Sequence, residues 1–439
     1  MRRFITLPIT LGVFLCATTA EATTRYIVRL SRGVTGVHGT SVPLTMPSSA
    51  RIVRTLGTGD LLVELDSADP AVLAALPGVT GVEPDQRLQI ASVSDPLWPR
   101  QWNMHDPRYG TDVEVAWAYT RGAGAVVAIL DTGLAPHSEF DGRVLPGYDF
   151  VSDADTARDG DERDGDPTDE GDWVDPGECG ARPARPSSWH GTHVAGLAVA
   201  GAGNGKGIVG VAPEAMLLPV RVIGRCGAWD SDVIDAIVWA SGGTVAGVPP
   251  PDRRADVINL SLGGLSICSA AMADAIAGAR ARGTAVVAAA GNLGIKASSM
   301  SPANCPGVIA VGALARDGAQ AAYSNHGDGL TLSAPGGSGR GVDADDILSS
   351  IDAGRRGRER EVFGYSAGTS MAAPQVAGLV ALMRSADPDI DVDEITRQLV
   401  DNARPVQGRC PKGCGAGVMD AGATVDAVVD ELTRRNEVR

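Results

Sequence analysis

Three stretches of the chain hold residue types that could act together on a covalent bond. Asp131 ends the apolar run Ala128-Ile129-Leu130 and precedes Thr132-Gly133, so a carboxylate is expected at the C-terminal end of a buried strand, where open α/β sheets place functional groups. His190 opens His190-Gly191-Thr192-His193-Val194-Ala195-Gly196 after a loop rich in Gly and Pro. Ser370 lies in Gly368-Thr369-Ser370-Met371-Ala372-Ala373-Pro374, small residues that open a helix whose free amides and positive end suit a developing anion. Each signal is weak by itself, because strands commonly end in a turn-capping Asp and helices commonly begin with a serine cap. Together they supply a hydroxyl, an imidazole to take its proton, and a carboxylate to fix that imidazole's tautomer. Histidines at i and i+3 could also bind zinc, but the HExxH pattern with its glutamate base is missing. The G-x-S-x-G elbow of ester and lipid hydrolases is likewise missing around Ser370.

The elements that must position these groups read as α/β. The apolar runs Ala125 to Leu130, Met216 to Val222, Val257 to Leu260, Ala285 to Ala289 and Val308 to Val311 alternate with helical stretches, the pattern of a parallel sheet buried on both faces. A smaller α+β unit precedes them: Arg25 to Leu30, Asp60 to Asp66 and Val79 to Glu83 alternate as strands, and Pro70 to Leu76 reads as a short helix.

With 439 residues the chain has room for two or three domains and an enzyme-sized core. Its 56 Gly and 27 Pro mark a turn-rich globular protein, and a formal charge of -15 argues against nucleic acid as a partner. Arg2 and Arg3, the apolar run from Phe4 to Ala17 and the small residues around Ala20-Glu21-Ala22 form a secretory signal over residues 1–22. No membrane association is expected once it is removed. Loss of Cys16 with the signal leaves Cys179, Cys226, Cys268, Cys305, Cys410 and Cys414, an even set suited to disulfides in an oxidising compartment, with 15 possible pairings. The expected location is extracellular or periplasmic.

In the order Asp, His, Ser, the long motifs AILDTG, HGTHVAG and GTSMAAP closely resemble the subtilisin-like serine proteases, over about residues 95–428. The resemblance implies a three-layer catalytic domain over 95–439, with Asp131 as orienting acid, His190 as general base, Ser370 as nucleophile and His193 as a packing residue. Ala288-Ala289-Ala290-Gly291-Asn292 is similar to the family's oxyanion segment, with Asn292 as donor. Ser261, Leu262 and Gly263 resemble the strand that pairs with an extended peptide, and Gly227 and Trp229 the opposite rim, Trp229 shaping a subsite. Residues 23–94 look like an inhibitor-type propeptide whose tail, Gln86 to Val93, runs through the groove. A self-processed, monomeric endopeptidase acting on proteins or peptides is implied. No acid stands in the motifs where a basic-specific subtilase gathers them, so a medium or large apolar residue before the cut is expected. Proximity and resemblance pair Cys179 with Cys226, Cys268 with Cys305, and Cys410 with Cys414.

Calcium is the expected cofactor at two places. By resemblance, one site joins Asp95, Glu139, the Asn204 side chain and carbonyls of Gly201, Lys206 and Ile208. The other is the stretch from Asp153 to Asp172, whose ten acids face only Arg158 and Arg163. Crowded carboxylates repel unless a hard cation gathers them, and Asp159, Asp161, Asp164 and Asp166 are the candidates there.

Overall fold

The computed structural model describes residues 24–31, 46–65, 70–85, 93–180 and 183–438. The signal segment 1–22, Cys16 and the tail segment 86–92 lie outside the described residues. The chain divides into two compact units between Ser92 and Val93.

The first unit is an antiparallel sheet of β1 (Thr24–Leu30), β2 (Ala50–Thr55), β3 (Leu61–Leu65) and β4 (Val79–Pro84), in the order β2-β3-β1-β4, with the short helix α1 (Ala71–Ala74). Tyr26 and Val28 of β1 alternate inward against Leu61, Val63, Leu65 and Leu73, the period-2 pattern of a half-buried strand. The strand β2 is an addition to the elements legible in the sequence. Arg51 and Arg54 face solvent on it and only intermediate burial interrupts them, so it lacks an apolar alternation to betray it.

The second unit holds, among the described residues, a seven-stranded sheet. Its strands are β5 (Val126–Asp131), β6 (Tyr148–Asp149), β7 (Met216–Arg221), β8 (Val257–Leu260), β9 (Ala285–Ala289), β10 (Ile309–Leu314) and β11 (Leu332–Pro335), in the order β11-β10-β9-β8-β5-β7-β6. Every pairing is parallel. Alternate side chains of the five inner strands enter different cores. Val127 and Ile129 join the core that holds α2 (His190–Val199) and α5 (Thr369–Ala386). Val126, Ala128 and Leu130 join the core of α3 (Asp230–Ala240) and α4 (Ala270–Ala281). Burial on both faces therefore makes these inner strands mostly apolar runs, at roughly 1.5–3 kcal/mol per large side chain. The expected three-layer α/β architecture is what the chain adopts. Beyond the sheet, β12 (Ile347–Asp352) and β13 (Glu361–Ser366) form an antiparallel hairpin that leads into α5. Among the described residues, no helix is long and apolar enough to cross a membrane.

Candidate active site

Asp131 ends β5 fully buried, and His190 begins α2. A Cβ on Gly191 would lie 2.2 Å from the Gly133 carbonyl oxygen, so only glycine lets the start of α2 approach the end of β5 this closely. The approach brings His190 Nδ1 to 2.7 Å from Asp131 Oδ1, which also accepts the Thr132 amide at 2.8 Å. The Nδ1 proton is thereby held toward the acid, leaving Nε2 with its lone pair. Burial opposes charge on His190, but the Asp131 carboxylate outweighs it through charge and hydrogen bond, helped by Asp172 and Asp169, and its pKa is raised. His193 is buried and its Nε2 lies 3.2 Å from the Gly364 carbonyl, with burial pushing its pKa down to about 3. Each histidine thus commits a ring nitrogen to a protein acceptor, and His193 stands in the packed interior rather than in the cleft.

Ser370 stands in the first turn of α5. Its hydroxyl donates to the Ser261 carbonyl at 3.2 Å, while its own carbonyl accepts the Ser261 hydroxyl at 2.9 Å. Pro374, four residues on, has no amide proton to offer that carbonyl, which frees it for Ser261. Helix and neighbouring strand are thus tied together beside the nucleophile candidate. Asn292 Oδ1 accepts the Thr369 amide at 2.8 Å and the Thr369 hydroxyl at 2.9 Å. With the oxygen so engaged, the amide nitrogen is the end left to donate.

His190, Ser370 and Asn292 line one cleft of about 730 Å³, with Ser261, Leu262, Gly263 and Gly227 on its walls. Trp229 does not line it: 65% exposed, it precedes α3, while its neighbours Ala228 and Asp230 face the cleft. Two further lining residues, Met300 and Asp172, gave no sign of this role in the sequence. Met300 is buried, with its terminal methyl 3.0 Å from where a Cβ of Gly291 would be and 3.5 Å from that of Gly263, so it narrows the space between those segments. Asp172, also buried, accepts the Ser188 amide at 2.6 Å and Arg185 at 3.2 Å. Two acids do reach the cleft, therefore, Asp172 and Asp230, and the charge of Asp172 is answered by a guanidinium.

The metal candidates divide. Asp95 and Glu139 are both buried. Glu139 accepts the Ile208 amide at 2.9 Å and the Asn204 side-chain amide at 3.1 Å, and its backbone carbonyl accepts the Gly201 amide. Asn204 Oδ1 accepts the Lys206 amide at 2.7 Å. Desolvation, with Asp95 adding to it, raises the Glu139 pKa. Asp95 Oδ2 accepts the Gly203 amide at 2.7 Å, whereas Oδ1 is buried without a partner. Two buried anions and an orphaned oxygen suit a hard cation.

In the acidic stretch the chain supplies its own cations. Asp159 pairs with the buried Arg221, which also holds Asp149 at 2.6 Å, and Arg163 pairs with Asp232 and Asp235 at 2.6 Å each. The ten acids therefore do not face only Arg158 and Arg163, which pair with acids outside the stretch: Arg221, Arg185 and Arg358, all from beyond it, pair with Asp159, Asp172 and Glu170. Asp164 and Asp166 accept loop amides of Asp166 and Thr168, and desolvation plus repulsion from Asp164 and Asp159 raises the pKa of Asp161. No group of three or more His, Cys, Asp or Glu is arranged to hold a metal among the described residues. All three expected disulfides are present, with Cα separations of 5.5, 5.1 and 6.2 Å in chain order.

A cleft beside the C-terminal ends of a parallel sheet, with an acid–imidazole pair, a serine at a helix start and an amide donor, describes an α/β hydrolytic enzyme. The chain belongs to the subtilase family, whose profile matches residues 122–417. It is 43% identical to an extracellular protease of Xanthomonas campestris pv. campestris, over 94% of this chain and 74% of that one. An extracellular basic protease of Dichelobacter nodosus is 39% identical, over 94% and 72%. Among solved structures, a protease from Pseudoalteromonas arctica PAMC 21717 superposes with a TM-score of 0.76 at 44% identity, over 77% of this chain and all of that one. The protein is thus a subtilisin-like serine protease.

Proposed function

We propose that the chain is an exported endopeptidase that matures by cutting its own leader, residues 23–94, from the catalytic part. The observation that carries the reading is the 2.7 Å His190–Asp131 contact in the cleft that also holds Ser370 and Asn292. The Ser370 hydroxyl turns from the Ser261 carbonyl toward His190, gives its proton to Nε2 and attacks the scissile carbonyl. Asp131 stabilises the imidazolium that results. The oxyanion is met by the Asn292 side-chain amide and the Ser370 backbone amide; losing such a donor costs about 100- to 1000-fold in turnover, a magnitude measured on subtilisin itself. His190 then protonates the leaving amine and activates water for deacylation.

An extended substrate pairs with Ser261-Leu262-Gly263 and the Gly227 rim by strand addition. Met300 and Leu262 favour a medium apolar residue before the cut. Calcium, when bound, would neutralise buried anions: Asp95, Glu139, Asn204 and the carbonyls of Gly201, Lys206 and Ile208 would hold one ion. The enzyme acts as a monomer.

Intact-mass measurement of Ser370→Ala, expressed without other proteases, tests the reading. The variant is expected to accumulate with residues 23–94 attached, while the parent yields a chain starting between about Ala91 and Asp95. Recovery of that mature chain from the variant would overturn self-processing.

A further inference from the structure

Behind the acid–imidazole pair lies a carboxylate to which the reaction above assigns no task. Asp169 is 1% exposed, and no cation stands within ion-pair distance of it among the described residues. Its Oδ2 accepts the Thr132 hydroxyl at 2.6 Å and its Oδ1 accepts the Gly171 amide at 2.8 Å. The same Thr132 oxygen accepts the Gly191 amide at 2.9 Å. Gly191 is the second residue of α2, so its amide is one of those that no helical carbonyl can satisfy. A hydroxyl has one proton to give. When Asp169 is ionised its carboxylate only accepts, so the Thr132 proton then points at Asp169 and the lone pairs are left for Gly191.

We propose that Asp169 is a positioning residue for hydrolysis: by fixing the direction of the Thr132 hydroxyl, it holds the first turn of α2, and with it His190, against the end of β5. The proposal rests on the reading of His190 as the general base. A neutral amide cannot replace the carboxylate, because both of its oxygens meet donors. In Asp169→Asn either Gly171 loses its acceptor or the Thr132 oxygen faces a second N–H. The spacing has no slack, given the Gly133 carbonyl 2.2 Å from a Cβ on Gly191.

The charge acts on His190 as well. Facing the imidazole are Asp131 on β5, Asp169 and Asp172 on the acidic loop, and His193 on its own helix. Arg221 on β7 faces Asp169, and Arg185 pairs with Asp172. Burial pushes the Asp169 carboxyl up to about 7, against the hydrogen bonds from Thr132 and Gly171. Asp169 and His190 face one another as titrating neighbours, so the acid limb of activity belongs to the set of groups. Removing the negative charge makes the imidazolium less favourable, so the limb moves to lower pH.

The test compares the parent, Asp169→Asn and Asp155→Asn, the last removing an exposed charge from the same loop. Rates are normalised to sites titrated with a serine-directed phosphonate. For Asp169→Asn, kcat is expected to fall about 10- to 100-fold with KM nearly unchanged, and the acid limb of kcat/KM to move to lower pH. Asp155→Asn should do neither. Should Asp169→Asn not fold, Thr132→Val must lose kcat to a similar degree and Thr132→Ser must recover it. Parent-like kcat and pH limb in Asp169→Asn, or Thr132→Val as active as Thr132→Ser, would overturn the proposal. Failure of the phosphonate to label the parent would instead overturn the general-base reading.

Discussion

The two ends of α2 carry buried anions in different company. At its start, Asp131 faces His190, a group that can itself become positive during turnover. Past its end, Glu139 and Asp95 meet mostly neutral donors: the Ile208 and Gly203 amides and the Asn204 side chain. Lys206 is the exposed cation nearby, and its ammonium pairs with Asp141 at 2.9 Å. The first arrangement stores charge for chemistry. The second leaves a demand for positive charge that a divalent cation would meet, so the two ends should fail in different experiments.

The largest separation is expected from the catalytic side chains. Ser370→Ala or His190→Ala should lower kcat by about 10⁶-fold, the magnitude measured on subtilisin. Melting temperature should hardly move, because neither hydroxyl nor ring anchors a core. A large fall in melting temperature would show that the start of α2 is structural as well. Asn292→Ala should cost less, about 100- to 1000-fold in kcat, since one of two oxyanion donors survives. A parent-like kcat in that variant would remove Asn292 from the mechanism.

Chelation should reverse the pattern. With calcium bound only to the native state, a hundredfold excess over Kd adds about 2.7 kcal/mol, so chelator should lower melting temperature and shorten lifetime on heating. Initial rates in the cold should survive. Glu139→Gln should shrink the calcium-dependent melting shift, and equal shifts in parent and variant would sink that site. The smallest effect concerns pH. The Glu139 pKa is raised in the folded protein and that of Asp169 is pushed up to about 7, so these two groups hold more protons in the native state than in the unfolded chain above the ordinary carboxylate range. Their contribution to calcium-free stability should therefore fall as pH rises from about 4 toward 7, while buried His193, its pKa pushed down to about 3, contributes in the opposite direction over the same window. Calcium, which binds ionised Glu139, should remove part of that slope. A Glu139→Gln variant that keeps the parent's calcium-free pH slope would contradict the assignment.

What the sequence disclosed and what it hid follow from distance along the chain. Asp131, His190, Ser370 and Asn292 each sit in a local motif whose small residues and strand or helix ends can be read in place. The parallel sheet was legible because burial on both faces writes itself as continuous apolar runs. Asp169 and Thr132, by contrast, are 37 residues apart, and Arg221 reaches Asp159 across 62. Such contacts leave no periodic trace, so the acidic loop reads as a place for metal until its resident arginine is visible. Met300 looks like an ordinary loop residue until the close approach of Gly291 and Gly263 gives it a wall to fill. Trp229 stands exposed beside the cleft-lining Ala228 and Asp230, a placement its residue type alone does not give.

The central claim, that Ser370 is the nucleophile activated by His190, is tested most directly by locating the adduct of a serine-directed peptidyl phosphonate by peptide mass spectrometry. One adduct per chain, on Ser370, with labelling that rises with pH through the His190 pKa and is absent from His190→Ala, is the predicted result. An adduct on another residue, or labelling of Ser370 at the parent rate in His190→Ala, would contradict it.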